Sequence, residues 1–175
     1  MGCIGANSNN NRILNNNISY STMRQGIVVG DEGVNNTISG NIISDIAMEG
    51  ILVWDGEQNF IHNNTITRCG REGIAIIGNR NIVTQNHIED NWCGIGMMGN
   101  LNTVQQNNFI NNGDNAYLGL DLHTFPFRNS WINNYWDRPR VLPYPIFGSV
   151  LFFIPWVQFD WRPALVPYDI GGSIG

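Results

Sequence analysis

Asp121 and His123 put an acid and a base two positions apart, the spacing that brings both to one face of an extended strand. That pair suits proton transfer, as in cleaving or epimerising a glycan, although a lone Asp-x-His is also common in plain surface loops. Asp31 and Asp55 follow equivalent apolar runs, so stacking would let them share a Ca²⁺ ion; taken singly, each is an ordinary turn residue. Glu49 and Glu72 precede Gly50 and Gly73 in the same way, and like charges stacked there make a second place to seek a cation. His62, His87, Cys93, Met97 and Met98 include ligand types suited to copper, but their positions do not coincide from one repeat to the next and read as scatter. Trp54 beside Asp55 offers an apolar platform with a polar handle, suited to a sugar ring, and Trp92 and Trp131 can add to it. The other reading of Trp54 is packing beneath the C-terminal segment. Cys3, Cys69 and Cys93 show no metal-binding spacing and read as small buried hydrophobes.

The elements that must position these residues are set by an internal repeat. Asn36-Thr37-Ile38 leads to Asn41 and Ile43, then to Gly50-Ile51-Leu52-Val53. The pattern returns as Asn59 to Ile66 with Gly73-Ile74-Ala75-Ile76, and as Asn81 to Ile88 with Gly94-Ile95-Gly96-Met97. The leading Asn residues are 11, 36, 59, 81, 102 and 129, at intervals of 25, 23, 22, 21 and 27. Apolar residues within each unit recur every second position, which is strand periodicity. The runs are too short for helices, and Gly and Asn between them favour turns through positive φ. Three short strands per unit make one coil of a right-handed parallel β-helix, each coil stacked roughly 4.8 Å from the last. The expected fold is therefore all-β, with about six coils.

The expected inward columns are Ile13, Ile38, Ile61, Val83 and Val104; Ile18, Ile43, Ile66, Ile88 and Phe109; and Ile27, Ile51, Ile74 and Ile95, with Val29, Val53, Ile76 and Met97 beside them. Asn16, Asn41, Asn64, Asn86 and Asn107 hold one template position in five coils. A buried amide there can bond its copies above and below, forming a structural Asn ladder.

These repeats, followed by Asn133-Asn134-Tyr135-Trp136-Asp137, resemble the NosD-like group of pectin-lyase-fold β-helix proteins, also described as carbohydrate-binding and sugar-hydrolase domains. The resemblance covers roughly residues 2 to 137. It implies a β-helix with a periplasmic, secreted or surface location, and for some members a role in metal maturation. Enzymes of this fold use acids with Arg, Lys or His on the outer face of the longest strand. The corresponding rows here, Val28, Leu52, Ala75 and Gly96 beside Gly30, Trp54, Ile77 and Met98, are apolar.

All 27 Asn precede residue 135 and all seven Pro follow residue 125, which divides the chain into β-helix repeats at 1–137 and a Pro/aromatic capping segment at 138–175. Proline removes ladder donors, so the second part is not expected to continue the coil. The nine basic residues are all Arg against 14 acids, a balance that speaks against nucleic acid as partner. No apolar run reaches membrane-spanning length. The first residues read as a coil already in progress, so a monomer or a piece of a longer β-helix is expected. The expected function is a non-catalytic secreted or surface module binding polysaccharide along one face. The alternatives are a polysaccharide lyase or epimerase and a NosD-like copper maturation factor. No cofactor is expected beyond Ca²⁺.

Overall fold

The computed structural model describes residues 4–6, 9–30, 32–120, 127–151 and 153–170, and this part of the chain contains strands, turns and bends but no helix. β1 (Ile4–Ala6) opens it. β2 (Arg12–Leu14), β3 (Asn17–Ser21) and β4 (Ile27–Val29) form one rung, and β5 (Thr37–Ser39), β6 (Ile42–Ile46) and β7 (Ile51–Trp54) the next. β8 (Phe60–His62), β9 (Thr65–Cys69) and β10 (Glu72–Ile77) follow, then β11 (Ile82–Thr84), β12 (His87–Glu89) and β13 (Cys93–Met98). β14 (Thr103–Gln105), β15 (Asn108–Ile110) and β16 (Asp114–Leu120) make a further rung. β17 (Ser130–Ile132), β18 (Tyr135–Trp136), β19 (Tyr144–Val150) and β20 (Ile154–Asp160) end the strand series.

Each strand from β1 to β19 pairs in parallel with its counterpart one rung away, giving three sheets. One has the order β1-β4-β7-β10-β13-β16-β19-β20, and the other two have six strands each. About five turns thus separate the first of the six rungs from the last. The register matches the repeat: Ile38 faces Ile61, Ile43 faces Ile66, and Ile74 faces Ile51. The inward columns are buried along their length, and near the C-terminal end the Ile column becomes the stacked rings of Phe109, Trp136 and Tyr144. Burying each such side chain contributes roughly 2 kcal/mol.

Proline does not stop the coil at residue 137, which corrects the expectation for the segment after it. β19 pairs in parallel with β16 from Phe147 to Val150, and β20 returns antiparallel along its free side. Pro145 precedes the first residue paired with β16, and Pro155 lies on the outer strand, so neither has to donate to a parallel neighbour.

The predicted ladder is present. The side-chain amide of Asn16 donates to the Oδ1 of Asn41 at 3.0 Å, and the same bond joins Asn41 to Asn64, Asn64 to Asn86 and Asn86 to Asn107. The ladder runs on to Asn134 and ends on buried Asp160. An internal member must both donate and accept, whereas the last need only accept. Asp160 does so: Oδ2 takes the Asn134 amide and the Trp136 indole N–H, and Oδ1 takes the backbone N–H of Asn133 and Arg162. A second ladder, not anticipated from the sequence, joins Asn11, Asn36, Asn59, Asn81, Asn102 and Asn129.

The residue before every ladder Asn except Asn129 adopts a left-handed conformation. Asn15, Gly40, Asn63, Gln85, Gln106 and Asn133 do so on one ladder, and Asn10, Asn35, Gln58, Arg80 and Leu101 on the other. At Gly78 and Gly99 the φ values are +155° and +144°, and a Cβ would fall 2.1 and 2.0 Å from the carbonyl oxygens of Gly56 and Gly78. No other residue type fits that approach.

Cys69 and Cys93 are free and buried, and burial pushes both thiols up to about 12. Thiolate is therefore scarce at neutral pH. In a Cys3→Ser background we expect a thiol reagent to label these two only as the protein unfolds, at the rate of the loss of β circular dichroism. The ladder's direction gives a second expectation. Asn64→Asp removes donors to the Ile38 and His62 carbonyls and to Asn86, and sets a carboxylate against their oxygens. It should destabilise by about 3–5 kcal/mol. Asp160→Asn loses acceptors for two N–H groups at most and should destabilise by about 1–3 kcal/mol. Urea denaturation of the two variants checks the order.

Candidate functional site

The outer face of the long sheet carries the rows expected to face outward, in register: Val28, Leu52, Ala75, Gly96 and then Tyr117. Trp54 pairs with Ile77 and Ile77 with Met98 in the neighbouring row. This centre is apolar, but polar groups gather along one side of it. Glu49 stands two residues before the first residue of β7, and Glu72 at the start of β10. The backbone bonds from Gly26 N–H to the Glu49 carbonyl and from Gly50 N–H to the Glu72 carbonyl place Gln25, Glu49 and Glu72 in one column.

Three connected hollows run along this side. One of about 590 Å³ is lined by Tyr20, Met23, Gln25 and Met48. A second, of about 340 Å³, shares Gln25 and Met48 and adds Glu49, Leu52, Trp54, Arg71, Glu72, Ala75 and Tyr117. A third, of about 440 Å³, shares Arg71, Glu72 and Tyr117 and adds Trp92. Together they form a trough crossing several coils, with exposed indoles on either side: Trp54 is 55% exposed and Trp92 61%. Trp92 is six residues before Met98, the residue in register with Ile77 and so with Trp54, which separates the two rings by roughly 20 Å along the strand direction.

The two acids are nearly buried, Glu49 at 6% exposure and Glu72 at 8%. Glu49 Oε1 accepts from Arg71 Nη1 at 3.0 Å, while its Oε2 is buried with no hydrogen-bond partner. Glu72 Oε1 accepts from the Tyr117 hydroxyl at 2.6 Å. The Tyr117 ring lies across Gly96, where a Cβ would come within 2.7 Å of it. Burial, reinforced by the bond to Glu72, raises the Tyr117 phenol and keeps it a donor.

Of the residues singled out by sequence, Trp54, Trp92, Glu49 and Glu72 therefore meet along one trough. Asp55 is exposed in the turn after β7, with φ at +56°, outside the trough lining. Asp31, Asp121, His123 and Cys3 lie outside the described residues. Trp131 does not join the platform: it is 4% exposed, pairs with Val104 on the inward column and donates to Gln158. Its position is that of Ile in the repeat, so the template itself points it inward.

The soft ligand types do not converge. His62 stacks on Phe60 beside Ser39, and burial lowers its pKa. His87 bonds Glu89 at 2.9 Å on a different sheet. Cys93 and Met97 are fully buried. Among the described residues no three His, Cys, Asp or Glu side chains come together to hold a metal ion. Sequence reasoning missed Gln25, Arg71 and Tyr117. Gln25 had a signal, its offset of 24 residues from Glu49, the same as that between Asp31 and Asp55. Tyr117 lies in a coil without the Gly-Ile run and had none.

No curated protein and no solved structure matches the chain. Residues 2–143 match the family described as "Periplasmic copper-binding protein (NosD)", which covers the repeats from the first described strand to the last inner rung. With the parallel β-solenoid and its periodic register, that match shows that the chain belongs to the NosD family.

Proposed function

We propose that this chain is a non-catalytic NosD-family β-helix module working in the periplasm or outside the cell, and that its trough binds an extended carbohydrate. The location follows the family's description. The observation that carries the ligand assignment is the pair of exposed indoles, Trp54 and Trp92, on either side of a trough with polar groups along it. Indole faces stack on the apolar faces of sugar rings, and carboxylates and amides beside them take up hydroxyl groups. A trough that crosses coils suits a polymer better than a single small ligand. The strand centre is apolar apart from the Tyr117 phenol, which is held as a donor to Glu72, and this favours binding over lyase or epimerase chemistry.

The family description also names copper. The described His, Cys and Met97 side chains do not converge on one copper site: the imidazoles are engaged on separate sheets, and the thiols with Met97 face the core. No step is assigned to a metal.

Calorimetry of the purified chain against neutral and charged oligosaccharides tests the proposal, with an absorbance assay for unsaturated products. We expect saturable binding without product, weakened about tenfold or more by Trp54→Ala and by Trp92→Ala. Product formation, or binding indifferent to both substitutions, would overturn it.

A further inference from the structure

Resting on that reading, we infer that the trough selects sugars bearing free amino groups, an amino-sugar oligomer rather than a uronic one. The argument begins at Glu49. A carboxylate oxygen buried without a partner is costly, and a ligand that donates a hydrogen bond there removes the cost. Glu49 Oε2 is such an atom, in a side chain 6% exposed that lines the trough. One coil on, Glu72 repeats the position at 8% exposure, held by Tyr117. One coil back, Gln25 supplies a further side-chain carbonyl. Acceptors thus recur along the trough at the coil rise of roughly 4.8 Å, close to the length of one pyranose unit in an extended polymer.

The charges decide what kind of donor fits. In the central hollow Glu49 and Glu72 share one sheltered side with a single cation, Arg71, which bonds Glu49 and is itself mostly exposed, while Arg24 lines only the hollow beside Tyr20 and Met23. Two stacked acids against one guanidinium leave that side of the central hollow negative, so a uronate adds like charge to it. An ammonium group brings the opposite charge and three donors, and charge-assisted hydrogen bonds are roughly twice as strong as neutral ones. Tyr117 is kept protonated by its surroundings and donates to Glu72, which leaves the carboxylates as the acceptors facing the ligand.

The shared chemistry is an ammonium group, which a sugar polymer or a free polyamine can carry, and the indoles favour the sugar. Calorimetry at mildly acidic pH compares four probes: a β-1,4-glucosamine oligomer, its fully N-acetylated counterpart, an oligogalacturonate and spermidine. The expected result is that the glucosamine oligomer binds about tenfold or more tighter than the acetylated one. That margin should shrink as salt rises, and galacturonate should show no binding. Glu49→Gln, which keeps the side-chain shape, should cut the preference to below about threefold. Glu57→Gln, an exposed acid paired with Arg80, should leave it intact. Thermal melts confirm that both variants fold.

An acetylated oligomer that binds as tightly as the free amine overturns the inference and leaves carbohydrate binding standing. A preference that survives Glu49→Gln does the same. Spermidine binding as tightly as the glucosamine oligomer overturns the sugar assignment. No binding by any oligosaccharide overturns both this inference and the function it rests on.

Discussion

A primary amide can donate and accept along the same line, and this solenoid depends on that property. Each bend would otherwise bury backbone groups with no strand to pair them. The ladder Asn solves the problem twice over. The Oδ1 of Asn64 accepts both the backbone N–H and the side-chain amide of Asn41, while its own Nδ2 covers the carbonyls of Ile38 and His62. Ser or Thr cannot supply both an acceptor and two donors at that reach, and Asp has no donor. The composition of 27 Asn in 175 residues is thus a consequence of the fold's bends. Because each amide leans on the next, the ladder has a direction, and its last member need only accept. Asp160 meets that need from the returning hairpin, so the chain after the repeats takes part in the hydrogen bonding of the last rung.

The inner half of the structure was open to reading because it obeys a period. Ile38, Ile61 and Val83 are alike, equally spaced and alternate with polar neighbours, and a one-residue slip would turn the column outward. The ladder through Asn16 and Asn107 followed from the same count. The second ladder, beginning at Asn11, had an equally regular spacing, but those Asn residues served as markers of the repeat and their own bonding was not drawn from it. The prolines after residue 137 misled because composition does not reveal where in a strand a residue falls: Pro145 lies ahead of the stretch paired with β16 and so takes no donor from that parallel ladder.

The outer half was less open, since side chains there answer to neighbours from other coils rather than to a period. The stacking of Glu49 on Glu72 was legible because their separation of 23 residues is one coil. Their partners were not. Arg71 reaches back to Glu49 across coils, and Tyr117 reaches Glu72 because Gly96, its register partner on the strand between, has no side chain to hold the ring away. Such a contact rests on three coils at once, and no single repeat contains it.

The same geometry bears on the binding role proposed for this surface. On a β-solenoid, residues at one template position form a column with fixed spacing, so a ligand with a similar repeat can meet the same chemistry several times over. The central rows of the long sheet are occupied by Leu52, Ala75, Gly96, Ile77 and Met98, which give a flat apolar floor. The acids stand beside this floor, where the chain enters the sheet, and they are tied to Arg71 and Tyr117 rather than held free above it. A polymer lying on this face would find stacking surfaces at Trp54 and Trp92 and hydrogen-bond acceptors between them. Each such contact is modest alone, and a long ligand would gain from meeting several of them at once.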